Sequence, residues 1–227
     1  MSHGREVLVA QDLVRTFPSG SQRQTSVRRA SLSVAREEMV AILGRSGAGK
    51  STLLALCGGL EKPDQGRVVV DGHDLAALRN SERERFLQRS VGWVFQNPRL
   101  VPVLTTEENV ALAARIAGER EDSARRLTQV ALEAVGLDTR ATRLASELSR
   151  GERQRAALAR ALVKAPPLVI ADEPTAQLDT RTAAEILGLL RDAARAEVAI
   201  LFSTHDEAEA AAADRVLVMD DGVLREP

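Results

Sequence analysis

Cysteine occurs once in these 227 residues, as Cys57. A single thiol excludes an internal disulfide and the disulfide-scaffold class, and it suits a reducing compartment. Long apolar runs are missing too: none approaches the roughly 18–20 residues that a membrane span needs. The first residues, Met1-Ser2-His3-Gly4-Arg5-Glu6, lead into no signal-peptide hydrophobic stretch. If the protein works at a membrane, another chain is expected to supply the span. Charge of one sign is also lacking. The 31 basic and 32 acidic residues leave a formal net charge of −1, so no basic field points to nucleic acid or to an anionic membrane surface. Lysine is nearly absent: Lys50, Lys62 and Lys164 stand beside 28 arginines. With alanine abundant, that bias reads as genomic base composition rather than chemistry. What is present is ordinary for a soluble globular protein, 44% hydrophobic and 28% charged. The chain is long enough to bury a sizeable core.

Short apolar runs alternate with amphipathic stretches, the order of an α/β fold. Strands are expected at Val7–Ala10 and Ala30–Val34, with Pro18-Ser19-Gly20-Ser21 as a turn between them. Met39–Leu43 is continuously apolar, the mark of a strand buried on both faces. A helix should follow over Lys50–Cys57, then a glycine-bounded strand from Gly66 to Gly72. Ser81 is placed to cap a charged helix running to Gln88, and Val91–Phe95 reads as another buried strand. From Asn97 to Lys164 helical periodicity takes over and no strand is expected. Thr106 is the expected cap of a helix beginning Glu107-Glu108-Asn109, with acids favourably placed in its first turn. A second helix should run from Asp122 to Val135 and stop at Gly136. A third should run from Gly151 to Val163 and end before Pro166-Pro167. Strands return at Leu168–Ala171, Val198–Phe202 and Val216–Met219, with a helix over Thr180–Ala194. A helical insert of about 70 residues thus interrupts an α/β core.

Three motifs carry chemistry. Gly44-Arg45-Ser46-Gly47-Ala48-Gly49-Lys50-Ser51 is an ungapped P-loop pattern between an expected strand and an expected helix. Its glycines let backbone N–H groups curl around phosphate oxygens, and the helix N-terminus adds a favourable dipole. Lys50 can reach the β- and γ-phosphates, and Ser51 can ligate Mg²⁺. Leu168-Val169-Ile170-Ala171-Asp172-Glu173 is an apolar strand ending in two acids. Buried strands rarely end so without cause. In a P-loop enzyme the first acid, Asp172, would hold Mg²⁺, and the second, Glu173, would polarise a hydrolytic water. In Leu148-Ser149-Arg150-Gly151-Glu152, Ser149 can cap a helix with Glu152 completing a capping box. The same N-terminus can offer N–H groups to a phosphate.

Taken together, the chain resembles an ABC transporter nucleotide-binding subunit from about Val7 to Leu224, with the family's motifs in the family's order. The P-loop is Gly44–Thr52, the Q-loop glutamine Gln96, the signature Leu148–Glu152 and the Walker B strand Leu168–Asp172, followed by Glu173. Ala176-Gln177-Leu178-Asp179 matches the D-loop, and His205 the switch histidine. The resemblance implies a P-loop α/β core over 1–96 and 165–227, an N-terminal antiparallel β portion, and a helical signature subdomain over 97–164. It implies ATP and Mg²⁺ as ligands. Gln96 would contact the Mg²⁺ or its water, His205 the γ-phosphate, and Asp179 would act across a dimer interface. Phe17 either stacks on adenine, where the family more often has Tyr, or is a hydrophobe flanking a turn. Ser149, Gly151 and Glu152 would complete the ATP site of a second, head-to-tail copy. The partners implied are that copy and membrane permease subunits, with no nucleic acid. The place implied is the cytoplasmic face of the cell membrane, as a peripheral protein.

Two positions depart from the family pattern. The common signature is Leu-Ser-Gly-Gly-Gln, whereas here Arg150 and Glu152 occupy the third and fifth places. Arg150 has two readings, as positive charge near a γ-phosphate or as a partner of Glu147. In the D-loop, Ala176-Gln177 replaces the more usual residues. Within the family, Leu53–Pro63, Gly92–Gln96, Thr106–Val110 and Gly151–Arg155 resemble the lipoprotein-releasing and macrolide-exporter ATPases. That subgroup powers export or mechanical transmission through separate membrane subunits. The competing class is a soluble ABC ATPase serving an assembly such as iron–sulfur cluster biogenesis. DNA-repair members need long inserts for which there is no room, and ribosome-associated members carry two P-loops where this chain has one. Asn97–Leu104 sets several apolar residues between prolines. It is expected to dock on the membrane partner, the alternative being packing on the helical insert.

Overall fold

In the computed structural model, residues 6–19 and 22–226 are described. Gly20 and Ser21 of the expected turn, and Met1–Arg5, lie outside them. Two sheets form. The first has the order β2-β1-β4-β5 and is antiparallel, built from β1 (Glu6–Ser19), β2 (Gln22–Ala35), β4 (Gln65–Val70) and β5 (His73–Asp74). The second has the order β10-β9-β3-β8-β7-β6. Its strands are β3 (Met39–Leu43), β6 (Val91–Val94), β7 (Leu168–Asp172), β8 (Ala199–Thr204), β9 (Arg215–Asp220) and β10 (Val223–Arg225). All its neighbours pair in parallel except β10 on β9.

Strands β3, β7 and β8 are buried almost throughout because both faces of this sheet are covered. Side chains alternate between faces. Met39, Ala41, Val169, Ala171, Ile200 and Phe202 point into one core, and Val40, Ile42, Leu168, Ile170, Ala199 and Leu201 into the other. Phe202 is the largest of the fully buried side chains. Truncating such a phenylalanine to alanine costs about 3–5 kcal/mol. The second core also takes α1 (Lys50–Cys57) and the antiparallel sheet. The first takes α3 (Thr106–Ile116), α4 (Glu121–Ala134), α5 (Arg150–Leu162) and α6 (Thr180–Arg195). The helices of 97–164 pack on one another, and α5 also lies against β6. Two further α-helices are α2 (Asn80–Ser90) and the single-turn α7 (Glu207–Ala210). Among the described residues no helix is long and apolar enough to cross a membrane.

The N-terminal strands are far longer than expected. They form a 14-on-14 residue hairpin whose register shifts between Ala10 and Val14. Asp12 and Arg29 sit there with φ of 49° and 53°. Such bulges break the two-residue alternation by which strands are read. Two expected caps are corrected by one or two residues. Thr105, not Thr106, caps α3: its hydroxyl accepts from Glu108 N–H at 3.2 Å, and Glu108 accepts from Thr105 N–H at 2.8 Å. Thr106 is buried, with its hydroxyl donating to the Arg143 carbonyl at 3.1 Å. Helix α2 starts at Asn80 after Arg79, so Ser81 lies inside it. The backbone N–H of Arg79 is taken by the Glu82 carboxylate. The cap expected at Ser149 forms as read, with Glu152.

Candidate functional site

Strand β3 leaves the sheet at Leu43 and turns through residues 44–49 into α1. The turn tolerates no side chain at two of its glycines. A Cβ on Gly44 would lie 2.3 Å from the Met219 carbonyl oxygen, and one on Gly49 2.2 Å from that of Ser26. Gly49 also has φ of 104°, in the region that L side chains rarely adopt. Nothing lies within 4 Å of a Cβ built on Gly47, so the loop's backbone is open to an approaching group there. Lys50 is only 4% exposed. Its ammonium donates to the carbonyls of Gly44 at 2.8 Å and Arg45 at 3.2 Å, and pairs with Glu173 Oε1 at 3.2 Å. The remaining P-loop positions, Ser46, Ala48, Ser51 and Thr52, line the same turn and the first turn of α1. A buried cation beside a loop whose backbone is open at Gly47 suits a polyphosphate.

Glu173 is the meeting point of four strand ends. It follows β7, with φ of 43°. Its Oε2 lies 3.5 Å from His205 Nδ1, after β8, and 3.5 Å from Gln96 Nε2, beyond β6. These groups and the P-loop all sit at the carboxyl ends of parallel strands, where open α/β sheets bind ligands. Ser203 was not singled out from the sequence. It is fully buried, donates to Asp172 Oδ1 at 2.7 Å, and accepts the Glu173 N–H at 3.0 Å. The signal was there in a polar pair, Ser203-Thr204, closing an otherwise apolar strand. Among the described residues no hydrogen bond joins Ser51 to Asp172. The oxygens of Ser51, Asp172 and Gln96 are hard donors of the kind Mg²⁺ takes.

The signature residues lie elsewhere on the chain. Glu152 accepts the Ser149 N–H at 2.8 Å and pairs with Arg140 Nε at 3.0 Å. These contacts, the backbone bond first and against the cost of burial, hold its carboxyl down to about 2. A Cβ on Gly151 would meet Thr182 Cγ2 at 2.8 Å. Thr182 in turn donates from its hydroxyl to Asp179 Oδ2 at 2.7 Å and from its backbone to Oδ1 at 3.0 Å. Asp179 therefore caps α6, and the hydroxyl bond foremost lowers its pKa. Among the described residues, no hydrogen bond or ion pair links Ser149, Glu152 or Asp179 to residues 44–52. Nor does a carboxylate pair with Arg150; Glu147 accepts the Leu144 N–H instead.

Phe17 lies near the end of β1, with the Arg15 guanidinium 4.7 Å from its ring centroid. The segment Asn97–Leu104 divides its apolar residues. Leu100 packs against the core, whereas Val101 is 38% and Val103 78% exposed. Buried Asn109 holds the segment, accepting the Val101 N–H at 2.7 Å and donating to the carbonyls of Val101, Leu104 and Thr105. Elsewhere a groove of about 390 Å³ is lined by Leu60, Leu87 and Trp93 together with Ala113 and Ile116 of α3.

Comparison with known proteins agrees with this fold. A family profile described as ABC transporter matches residues 27–176. The lipoprotein-releasing system ATP-binding protein LolD of Xanthomonas campestris pv. campestris (strain 8004) is 44% identical over 98% of this chain and 94% of its own length. The protein of that name from Xylella fastidiosa (strain Temecula1) is 42% identical over 97% and 92%. Among solved structures, the dimeric post-hydrolysis ATP-binding cassette MJ0796 bound to ADP and Pi superposes with a TM-score of 0.88 at 30% identity, covering 96% of this chain and 98% of that one. The structure of cbiO1 from Clostridium perfringens superposes with a TM-score of 0.85 at 30% identity, covering 98% and 89%.

Proposed function

The chain belongs to the ABC transporter ATP-binding family, and from that premise we propose that Glu173 drives hydrolysis at a Mg²⁺-ATP site shared between two copies. It is an ATPase, the ATP-binding subunit of a transporter, and it acts as a dimer with membrane subunits. One observation carries the proposal: a single carboxylate, Glu173, reaches Lys50, Gln96 and His205 together at the carboxyl end of the sheet.

In this reading the N–H groups of residues 44–52 wrap the phosphates, and Lys50 exchanges its protein carbonyls and Glu173 for phosphate oxygens. Release from Lys50 leaves Glu173 free to orient a water for in-line attack and accept its proton. His205 holds the γ-phosphate and the attacking water in line. Ser51, Asp172 and Gln96 would hold Mg²⁺, which when bound neutralises charge on the β- and γ-phosphates. Phe17 packs against adenine. Ser149, Gly151, Glu152 and Asp179 complete the site of the other copy. Residues 1–96 and 165–227 act as the nucleotide-binding core, and 97–164 as the subdomain that presents the signature. The likeness to lipoprotein-releasing relatives supports lipoprotein release as the work powered. Because ATP is supplied from the cytoplasm, the protein works as a peripheral subunit on that face of the membrane.

The test is Glu173→Gln, which keeps shape and removes the base. Hydrolysis is expected to fall by about 10²-fold or more while ATP binding persists, on the scale of losing a general base. Wild-type turnover by that variant would remove Glu173 from the role.

A further inference from the structure

Helix α5 starts at the signature and ends against strand β6, the strand that leads into Gln96. The contact with β6 is close. A Cβ on Gly92 would lie 2.6 Å from the Ala161 carbonyl oxygen, so no side chain fits between strand and helix. From this helix two side chains reach the backbone on both sides of Gln96. Gln154, 3% exposed, donates to the Phe95 carbonyl at 3.3 Å. Arg160 spreads its fork over two successive carbonyls, Nη2 to Pro98 at 2.7 Å and Nη1 to Arg99 at 2.8 Å. The same five-residue stretch bends sharply: Arg99 has φ of 49°, and its guanidinium folds back to 4.4 Å from the Phe95 ring centroid. Among the described residues no backbone–backbone hydrogen bond holds Pro98 or Arg99, which lie beyond the end of β6. A planar guanidinium satisfies two neighbouring carbonyls at once, and a lysine does not match that geometry.

We propose that Arg160, helped by Gln154, is a positioning residue of the hydrolytic site, holding Gln96 in place from the helix that begins at the signature motif. The proposal rests on the reading of Gln96 given above. Its consequence is mechanical. Gln96 beside Glu173 and Ser149 at the start of α5 move as one body, so the site a chain builds for itself and the motif it lends to its partner are tied through a single helix.

The experiment is a double-mutant cycle on the full chain with Arg160→Ala and Gln96→Ala, reading kcat, KM for ATP and thermal midpoint. Arg160→Ala is expected to lower kcat by about ten- to hundredfold, the range for a misplaced group in a site. KM should stay within about twofold, because the P-loop holds the nucleotide without Arg160. Arg160→Lys should recover part of the loss. In the Gln96→Ala background, Arg160→Ala should change kcat by less than about twofold, because its effect runs through Gln96. A purely structural arginine would instead give losses that multiply in the double variant, and that result overturns the proposal while leaving Gln96 in its role. Full turnover by Gln96→Ala would remove both. Should Arg160→Ala not fold, Arg160→Gln, which keeps one donor for one carbonyl, enters the same cycle with the same two readings.

Discussion

At the scale of single residues, the site is a set of charges placed to be exchanged. Lys50 spends its protons on two carbonyls and one carboxylate, and each of these is a weaker partner than a triphosphate. Ser203 fastens both acids of the strand end, one by donating and one by accepting, so Asp172 and Glu173 are held with a fixed offset. In the signature, Glu152 is committed to its own helix cap and to Arg140. That commitment predicts a pH dependence. Its carboxyl is lowered from an ordinary 4.5 to about 2. A carboxyl lowered by folding stabilises the fold above its unfolded value, and the contribution is lost as pH falls toward the folded one. The stabilisation should be complete above about pH 5 and fade as the pH drops toward about 2. The Tm gap between wild type and Glu152→Gln should therefore narrow through that window in thermal melts. A gap that stays constant down to about pH 3 would mean that the cap and Arg140 do not favour the ionised form.

At the scale of elements, what was legible followed from local pattern. Helix α1 has the bounds read from the sequence, because an unbroken P-loop pattern sets its start and glycines follow its end. Strands β7 and β8 were clear from continuous apolar runs. The β1–β2 hairpin was legible only as two short strands and a turn, because its bulges at Asp12 and Arg29 shift the buried residues off a strict alternation and hide its length. The expected caps Thr106 and Ser81 lay one and two residues from the true ones, Thr105 and Arg79, since adjacent polar residues compete for one position. The segment after Gln96 illustrates a different limit. Its composition favours docking, with packing as the alternative, and the fold divides the segment between the two, with Leu100 inward and Val101 and Val103 outward. An apolar side chain as exposed as Val103 is expected at an interface. A cysteine at Val103 should cross-link to a loop of the membrane partner in the assembled, active complex. If Val101 and Val103 both fail there, the segment is not the docking element.

At the scale of the whole molecule, the P-loop and the signature occupy different parts of one chain with no hydrogen bond or ion pair between them among the described residues. Two helix N-termini suited to phosphate are thus left for a two-fold arrangement of copies to bring together, an isologous interface. Mixing Lys50→Ala chains with Ser149→Arg chains distinguishes this from self-contained sites. In shared sites, a mixed dimer has one site carrying both lesions and one carrying neither, so hydrolysis should partly return. Self-contained sites would leave every mixture inactive.

The sequence by itself determined the α/β order, the helical interruption, the P-loop turn and the Ser149 cap, because each depends on neighbours a few residues away. The tertiary structure alone decided which distant groups meet. It set Glu173 between Lys50, Gln96 and His205, placed Ser203 under both acids, and laid the Arg160 fork across carbonyls 62 and 61 residues away. Those contacts arise from strand order and helix packing, and no periodicity within a window of residues encodes which strand ends become neighbours.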